Sequence, residues 1–277
     1  MTGITDHGDP LHRIAAALER LNPAQAQPTD WLTAPAYLWD GAARAVTELV
    51  APPLDQLKAI DAQKAAVTTN LARFAGRHAA HDMLLWGARG TGKSALLRAS
   101  VRSVQHTTPS ALALVQITPD ALSQLAPLFA ALTGIDRQFL LFIDDLGFEP
   151  GDSAGPRALR SWLEGGVAAR PANVRLAVTT NRRAIVPRHL SEQDDPINPR
   201  DAVDDKLALA DRFGLSIGFH AASQDDYLAI VAGYCTVHAL RFDQAEALEW
   251  SKRRGARSGR VAWQFITELA GRAGQRL

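Results

Sequence analysis

The feature that most constrains this chain is the octapeptide Gly87–Ser94, GARGTGKS, set between the apolar run Met83-Leu84-Leu85-Trp86 and the segment Ser94-Ala95-Leu96-Leu97-Arg98-Ala99-Ser100-Val101. It satisfies every fixed position of G-x-x-x-x-G-K-[ST], and its flanks read as strand before and helix after, the order a phosphate-binding loop needs. Gly87, Gly90 and Gly92 permit backbone conformations that a side chain would block, so successive N–H groups of Ala88, Arg89, Thr91 and Ala95 and their neighbours can turn toward phosphate oxygens. The helix that opens near Lys93 adds the positive end of its dipole. Lys93 is expected to reach the β- and γ-phosphates of a nucleotide, and the Ser94 hydroxyl to ligate magnesium. Residues 87–95 are thus the expected site of ATP and Mg2+.

A magnesium ion held this way calls for a nearby carboxylate. Phe139-Leu140-Leu141-Phe142-Ile143 is too continuously apolar for a half-exposed strand, and it ends in Asp144-Asp145. In a buried parallel sheet such a strand end opens at the edge where ligands bind. Asp144 is the expected metal-linked acid, acting through water, and Asp145 the group that polarises an attacking water. The bland alternative is that the pair begins a solvated turn.

Further apolar runs at 111–117, 175–178 and 216–219 alternate with helix-like segments, which predicts a parallel sheet with helices on both faces. Leu54 to Phe74 has apolar residues every three or four positions and reads as one or two amphipathic helices. After Asp225 three helical patterns follow with no strand-like run, so residues 223–277 are expected to form a small helical subdomain and 54–222 the α/β core. Residues 1–53 are read as an N-terminal helical extension: a short helix at 11–21, a Pro- and Gln-bearing linker, then an apolar stretch ending at Ala51-Pro52-Pro53. Trp31, Tyr37 and Trp39 within it are either buried helical packing or a docking surface. Residues 189–205 carry six carboxylates and few apolar groups and read as a surface loop.

Composition narrows the partners. Of 277 residues 47% are hydrophobic and 21% charged, ample for one sizeable core. The N-terminal segment has no apolar leader and no stretch is long enough to span a bilayer, so a cytoplasmic protein with no membrane partner is expected. The single Cys235 reads as a buried thiol. Net charge is +1, which gives no overall attraction to nucleic acid. From Ser251 onward, however, seven basic residues (Lys252, Arg253, Arg254, Arg257, Arg260, Arg272, Arg276) face one acid, Glu268. A solvated helix face explains this, and nucleic-acid contact is the alternative.

With both motifs placed, the chain resembles the AAA+ ATPases and, within them, the bacterial DUF815 family of predicted ATP-binding proteins. The likeness runs from about Leu54 to Arg272 through IDAQK, LLWGARGTGKS, LLFIDDLGFE, LEGG, TTNRR, ADRFGL and GARSGR. It implies a three-layer α/β core of the P-loop NTPase kind, a C-terminal helical lid, nucleotide between them, and a homo-oligomeric ring or partial ring whose neighbours complete each site. It further implies that Asn181 holds the attacking water beside the γ-phosphate, although an Asn at a strand end is also a common turn former. Arg212 resembles an arginine finger serving the neighbouring subunit, a role suited to an always-charged fork; the alternative is a local Asp211–Arg212 pair. Arg260 resembles the lid arginine that touches the γ-phosphate, with Arg257 as the competing assignment. Ile60, Asp61 and Gln63 fall where such proteins enclose adenine, or Ile60 is ordinary core. The chain departs from the usual Asp-Glu by carrying Asp144-Asp145, one methylene shorter, with Glu149 four residues on. An ATPase acting on an unknown protein partner is the expected function. An ATP-dependent binding switch or loader with little hydrolysis, and a small-molecule kinase, are the alternatives.

Overall fold

The computed structural model describes residues 29–147, 159–163, 170–181 and 210–277. The expected helix at 11–21, the loop at 189–205, Glu149, and parts of LEGG and TTNRR lie outside these. Seven strands form one sheet: β1 (Ala36–Trp39), β2 (Ala43–Val46), β3 (Met83–Gly87), β4 (Leu112–Ile117), β5 (Gln138–Ile143), β6 (Val174–Thr180) and β7 (Leu215–Phe219), in the order β2-β1-β4-β5-β6-β3-β7. All neighbouring pairs are parallel except β1 with β2, which are antiparallel. The helices are α1 (Asp61–Ala75), α2 (Lys93–Thr107), α3 (Leu125–Leu132), α4 (Gln224–Val237), α5 (Gln244–Arg253) and α6 (Gly259–Arg272), with residues 159–163 also helical.

Why the strands read as unbroken apolar runs is visible in their two faces. Phe139, Leu141 and Ile143 of β5 join one core cluster with Leu84, Val178, Leu125 and Leu128, while Leu140 and Phe142 join the other with Met83, Leu85, Val67, Leu71 and Leu97. Helices α1 and α2 cover the second face and α3 the first, so no face of β5 meets water. Burying each of these side chains contributes roughly 1.5–3 kcal/mol, and a sheet so covered has no use for polar alternation. A third cluster, built from Tyr227, Val231, Cys235, Ala247, Val261, Phe265 and Ile266, is the separate core of the α4–α6 subdomain. Cys235 is buried there, and that burial raises its thiol pKa.

The reading of residues 31–53 as helical is corrected by the sheet. Ala36–Trp39 pairs in parallel with Leu114–Ile117, and the chain returns as the edge strand β2. Trp31 and Tyr37 pack at 4.6 Å between ring centroids, and Trp31 meets Phe139 edge-on at 5.8 Å. Buried Arg137 donates to the carbonyls of Trp31 (3.0 Å) and Ala34 (2.8 Å), fastening this segment to the start of β5. The aromatic residues are therefore packing, as one of the two readings held, but beside strands. Four-residue strands leave too little alternation to distinguish from helix spacing. Residues 54–56 form a single 3-10 turn, and only 61–75 of the expected helical stretch is α-helix.

Candidate functional site

The carboxyl ends of four adjacent strands, β5, β6, β3 and β7, deliver Asp144, Asn181, the phosphate loop and His220 to one edge of the sheet. The loop takes its shape from its glycines. Gly87 (φ +132°) lies so close to β7 that a Cβ would sit 1.9 Å from the Phe219 carbonyl oxygen. Gly92 (φ +95°) is the left-handed residue preceding α2, whose first residue is Lys93. L-residues rarely adopt such angles. Lys93 is buried and its Nζ donates to the carbonyls of Gly87 (2.8 Å) and Ala88 (2.8 Å) and to Asn181 Oδ1 (3.2 Å). Burial depresses its pKa; Asp145 and Asp144 pull it back up, and Arg260 and Arg89 add to the depression.

Beside the lysine sits the acid pair. Ser94 Oγ donates to Asp144 Oδ1 at 2.5 Å, and Thr179 Oγ1 donates to the same oxygen at 2.6 Å. Asn181 Nδ2 donates to Asp145 Oδ1, and Arg89 lies 3.9 Å from Asp145 Oδ2. Ser94, Asp144, Thr179 and Asn181 thus gather into one polar group against Lys93. Among the described residues no cluster of three or more His, Cys, Asp or Glu could hold a metal alone. A hydroxyl next to one carboxylate instead suits a hard cation that retains water and shares phosphate oxygens, which is how Mg2+ is usually held.

A cleft of about 770 Å³ opens over this group. Arg89–Ala95 form its floor, residues 56–60 and Gln63 one wall, and Asp226, Ile230, Tyr234, Ser258–Arg260 and Trp263 of the helical subdomain the other. Gln63 Nε2 donates to the Gly218 carbonyl at 3.2 Å, tying α1 to β7. Ser258 caps α6 and its side chain accepts from the Val261 N–H. The first turn of α6 therefore faces the cleft as α2 does, and two helix N-termini with Lys93, Arg89 and Arg260 offset the charge of Asp144, Asp145 and Asp226 and favour an anion at the loop.

Most of the expected residues meet here. Arg89 through Ala95, Ile60, Asp144, Asp145, Asn181 and Arg260 line the cleft, whereas Gly87 and Ala88 lie beneath it and hold Lys93. Of the two arginines weighed as contacts to the γ-phosphate, Arg260 lines the cleft and Arg257 does not. Asp61 is a correction: it pairs with Lys64 at 2.6 Å on the exposed face of α1 and is not a wall residue. Arg212 precedes β7, whose first residue Leu215 pairs with Met83 at the start of β3. It lies at the opposite edge of the sheet, on the order of 16 Å of strand from its own loop. Sequence reasoning missed Thr179, Ser258, Tyr234, Trp263 and His220. Only the TTN run at the end of β6 offered a signal for the first.

The family model for DUF815, a protein family of unknown function, matches residues 32–273. The chain belongs to the DUF815 family. The match begins at residue 32, ahead of the stretch that carried the sequence resemblance, and so takes in β1 and β2. No curated protein sequence matches the chain. Among solved structures, RuvB of Thermotoga maritima, the Holliday junction branch migration motor, superposes with a TM-score of 0.55 at 17% identity, covering 82% of this chain and 68% of RuvB. A threonine-to-valine variant of the same RuvB gives 0.56 at 17% identity with the same coverage. The Aeropyrum pernix ORC2 protein in its ADPNP–ADP complexes gives 0.55 at 11% identity, over 82% of this chain and 65% of that one. The DUF815 chain therefore has the AAA+ fold: a mixed α/β core with a mostly parallel sheet.

Proposed function

We propose that this DUF815 protein binds Mg-ATP in the cleft over GARGTGKS and hydrolyses it, using the cycle to move the α4–α6 lid against the core. The observation that carries this reading is the single polar group joining Lys93, Ser94, Asp144, Thr179, Asn181 and Asp145 at the mouth of two helix N-termini. Residues 54–222, with β1 and β2 of the preceding segment added to their sheet, serve as the nucleotide-binding core and 223–277 as its lid.

When bound, magnesium would neutralise β- and γ-phosphate charge between Ser94 and Asp144. Lys93, released from its own loop carbonyls, pairs with those phosphates. Asp145 accepts the hydrogen bond of the attacking water and Asn181, already on Asp145 Oδ1, fixes the water's position. Arg260 carries the charge of the γ-phosphate to the lid, so that its loss frees α6. Arg212, remote from its own site, serves the cleft of a neighbouring copy in a homo-oligomer. Catalysis here is positioning and electrostatics, with no covalent step by the protein.

A second reading, a nucleotide-gated binding switch or loader that hydrolyses slowly, is favoured by one observation: the acid at 145 is an Asp whose Oδ1 is held by Asn181. Misplacing an acid by about 1 Å can cost on the order of 10²-fold in rate. Free phosphate released from Mg-ATP without any added acceptor tests the proposal. Release that stops in Asp145→Ala supports the ATPase. Binding with no release supports the switch, and release only with an acceptor points to a kinase. The protein partner is sought by isolating what co-purifies with Asp145→Asn in ATP.

Among the described residues no helix is long and apolar enough to cross a membrane. A cytoplasmic protein with a protein partner remains the proposal, with nucleic acid as the alternative for the basic residues from Lys252 to Arg276.

A further inference from the structure

We propose that Thr179 is the positioning residue that sets the register of the acid pair, an inference that rests on the Mg-nucleotide reading of the cleft. Thr179 is the penultimate residue of β6 and is 1% exposed. An apolar β-branched residue is what such a position ordinarily holds. Its hydroxyl is instead fully engaged: it donates to Asp144 Oδ1 (2.6 Å) and accepts from the Asp145 N–H (2.8 Å). Its carbonyl accepts from the Leu146 N–H at 2.8 Å. One residue therefore grips three successive residues at the end of β5.

The grip has a conformational counterpart. Asp145 has φ +51°, a left-handed backbone that Asp tolerates only at some cost. The hydrogen bond from its N–H to Thr179 Oγ1 holds the chain in that turn. The turn sends neighbouring carboxylates in different directions, Asp144 to Ser94 and Asp145 to Asn181 and Arg89. The hydroxyl has one proton. Because the Asp145 amide must donate, that proton is committed to Asp144, and the polarity of the arrangement is fixed. Both hydroxyl bonds to Asp144 fall on Oδ1, which leaves Oδ2 for a water of the cation. Thr179 thus divides the labour of two adjacent aspartates, one for metal and one for water.

The test compares Thr179→Val, which keeps the shape and loses the hydroxyl, with Thr179→Ser, which keeps the hydroxyl. A fluorescent ADP analogue is titrated in EDTA and in Mg2+. Valine is expected to leave affinity in EDTA unchanged and to cut the magnesium-dependent gain about tenfold, the loss of a hydrogen bond to a charged group. Turnover should fall about 10²-fold, with KM for Mg-ATP rising in step with the weakened magnesium-dependent binding, and serine should restore most of both. If valine fails to fold, Thr179→Ala takes its place. In the wild type, the Asp145 amide should resist hydrogen exchange although its side chain is exposed. Unchanged magnesium dependence in valine, no recovery in serine, equal losses in EDTA and Mg2+, or a freely exchanging Asp145 amide would each overturn the proposal. If the wild-type protein binds no nucleotide at all, the reading of the cleft fails instead, and the amide measurement still decides the grip.

Discussion

Gly90 of the phosphate loop packs directly on Ser258, the N-cap of α6: a Cβ at Gly90 would lie 3.0 Å from Ser258 Oγ and 3.2 Å from Arg260 Cβ. Loop and lid are in contact through a position that also requires φ +77°. Gly90→Ala should therefore strain the loop by about 1–2 kcal/mol and push Ser258 and Arg260 outward. We expect nucleotide affinity to fall at least about tenfold, measured by calorimetric titration. Affinity equal to wild type would show that the lid is not seated on the loop.

Asp145 is expected to act in turnover rather than in binding. Asp145→Asn keeps the shape, and its amide oxygen still accepts from Asn181 Nδ2, but the substitution removes the negative charge facing the water. Phosphate release should drop on the order of 10²–10⁴-fold with nucleotide affinity little changed. Turnover at the wild-type rate would sink the hydrolytic mechanism and leave the switch.

Parts of this site are legible in the sequence because function there restricts residue choice severely. Residues other than glycine seldom meet the angles of Gly87 and Gly92, and Phe139–Ile143 is buried on both faces, so its length and its terminal acids mark it. Thr179 was invisible for the opposite reason: threonine is a common strand residue, and only the approach of β5 shows that its hydroxyl is employed. Ser258 likewise reads as an ordinary N-cap until the lid is seen against Gly90. For Trp31, Tyr37 and Trp39 burial was one of two readings, and β4, whose pairing makes a strand of 36–39, lies far along the chain. Asp61 shared the right segment with Ile60 and Gln63 and fell on the wrong face.

Arg212 makes assembly testable. Its place at the edge opposite its own loop motivates the proposal that it serves a neighbouring copy, in which case Arg212→Ala and Lys93→Ala impair different sites of a homo-oligomer. Each alone should be inactive in phosphate release, and a mixture should regain part of the activity as intact fingers meet intact loops. No recovery across mixing ratios would argue against action between copies.

Lys93 gives a pH dependence of known sign. Its folded pKa is depressed by burial, so across the window from that pKa up to the ordinary lysine value the unfolded chain holds more protons. The stability of the nucleotide-free protein should accordingly gain from Lys93 as pH rises through that window, and lose that gain as pH falls through the folded pKa. Nucleotide affinity runs the other way, because phosphate needs the charged amine. It should decline on the alkaline side earlier than an exposed lysine would allow, measured by titration at stepped pH. In Lys93→Arg, which stays charged, the alkaline decline should be absent even if affinity is lower throughout. An identical decline in that variant would assign it to another group.

The central claim is that the anionic end of Mg-ATP sits on Lys93. Calorimetric titration of Mg-ATP into wild-type protein and Lys93→Ala, with melting curves confirming that both are folded, tests it most directly. The wild type should bind saturably and the variant lose at least about 10²-fold in affinity. Equal binding by the two proteins would contradict it.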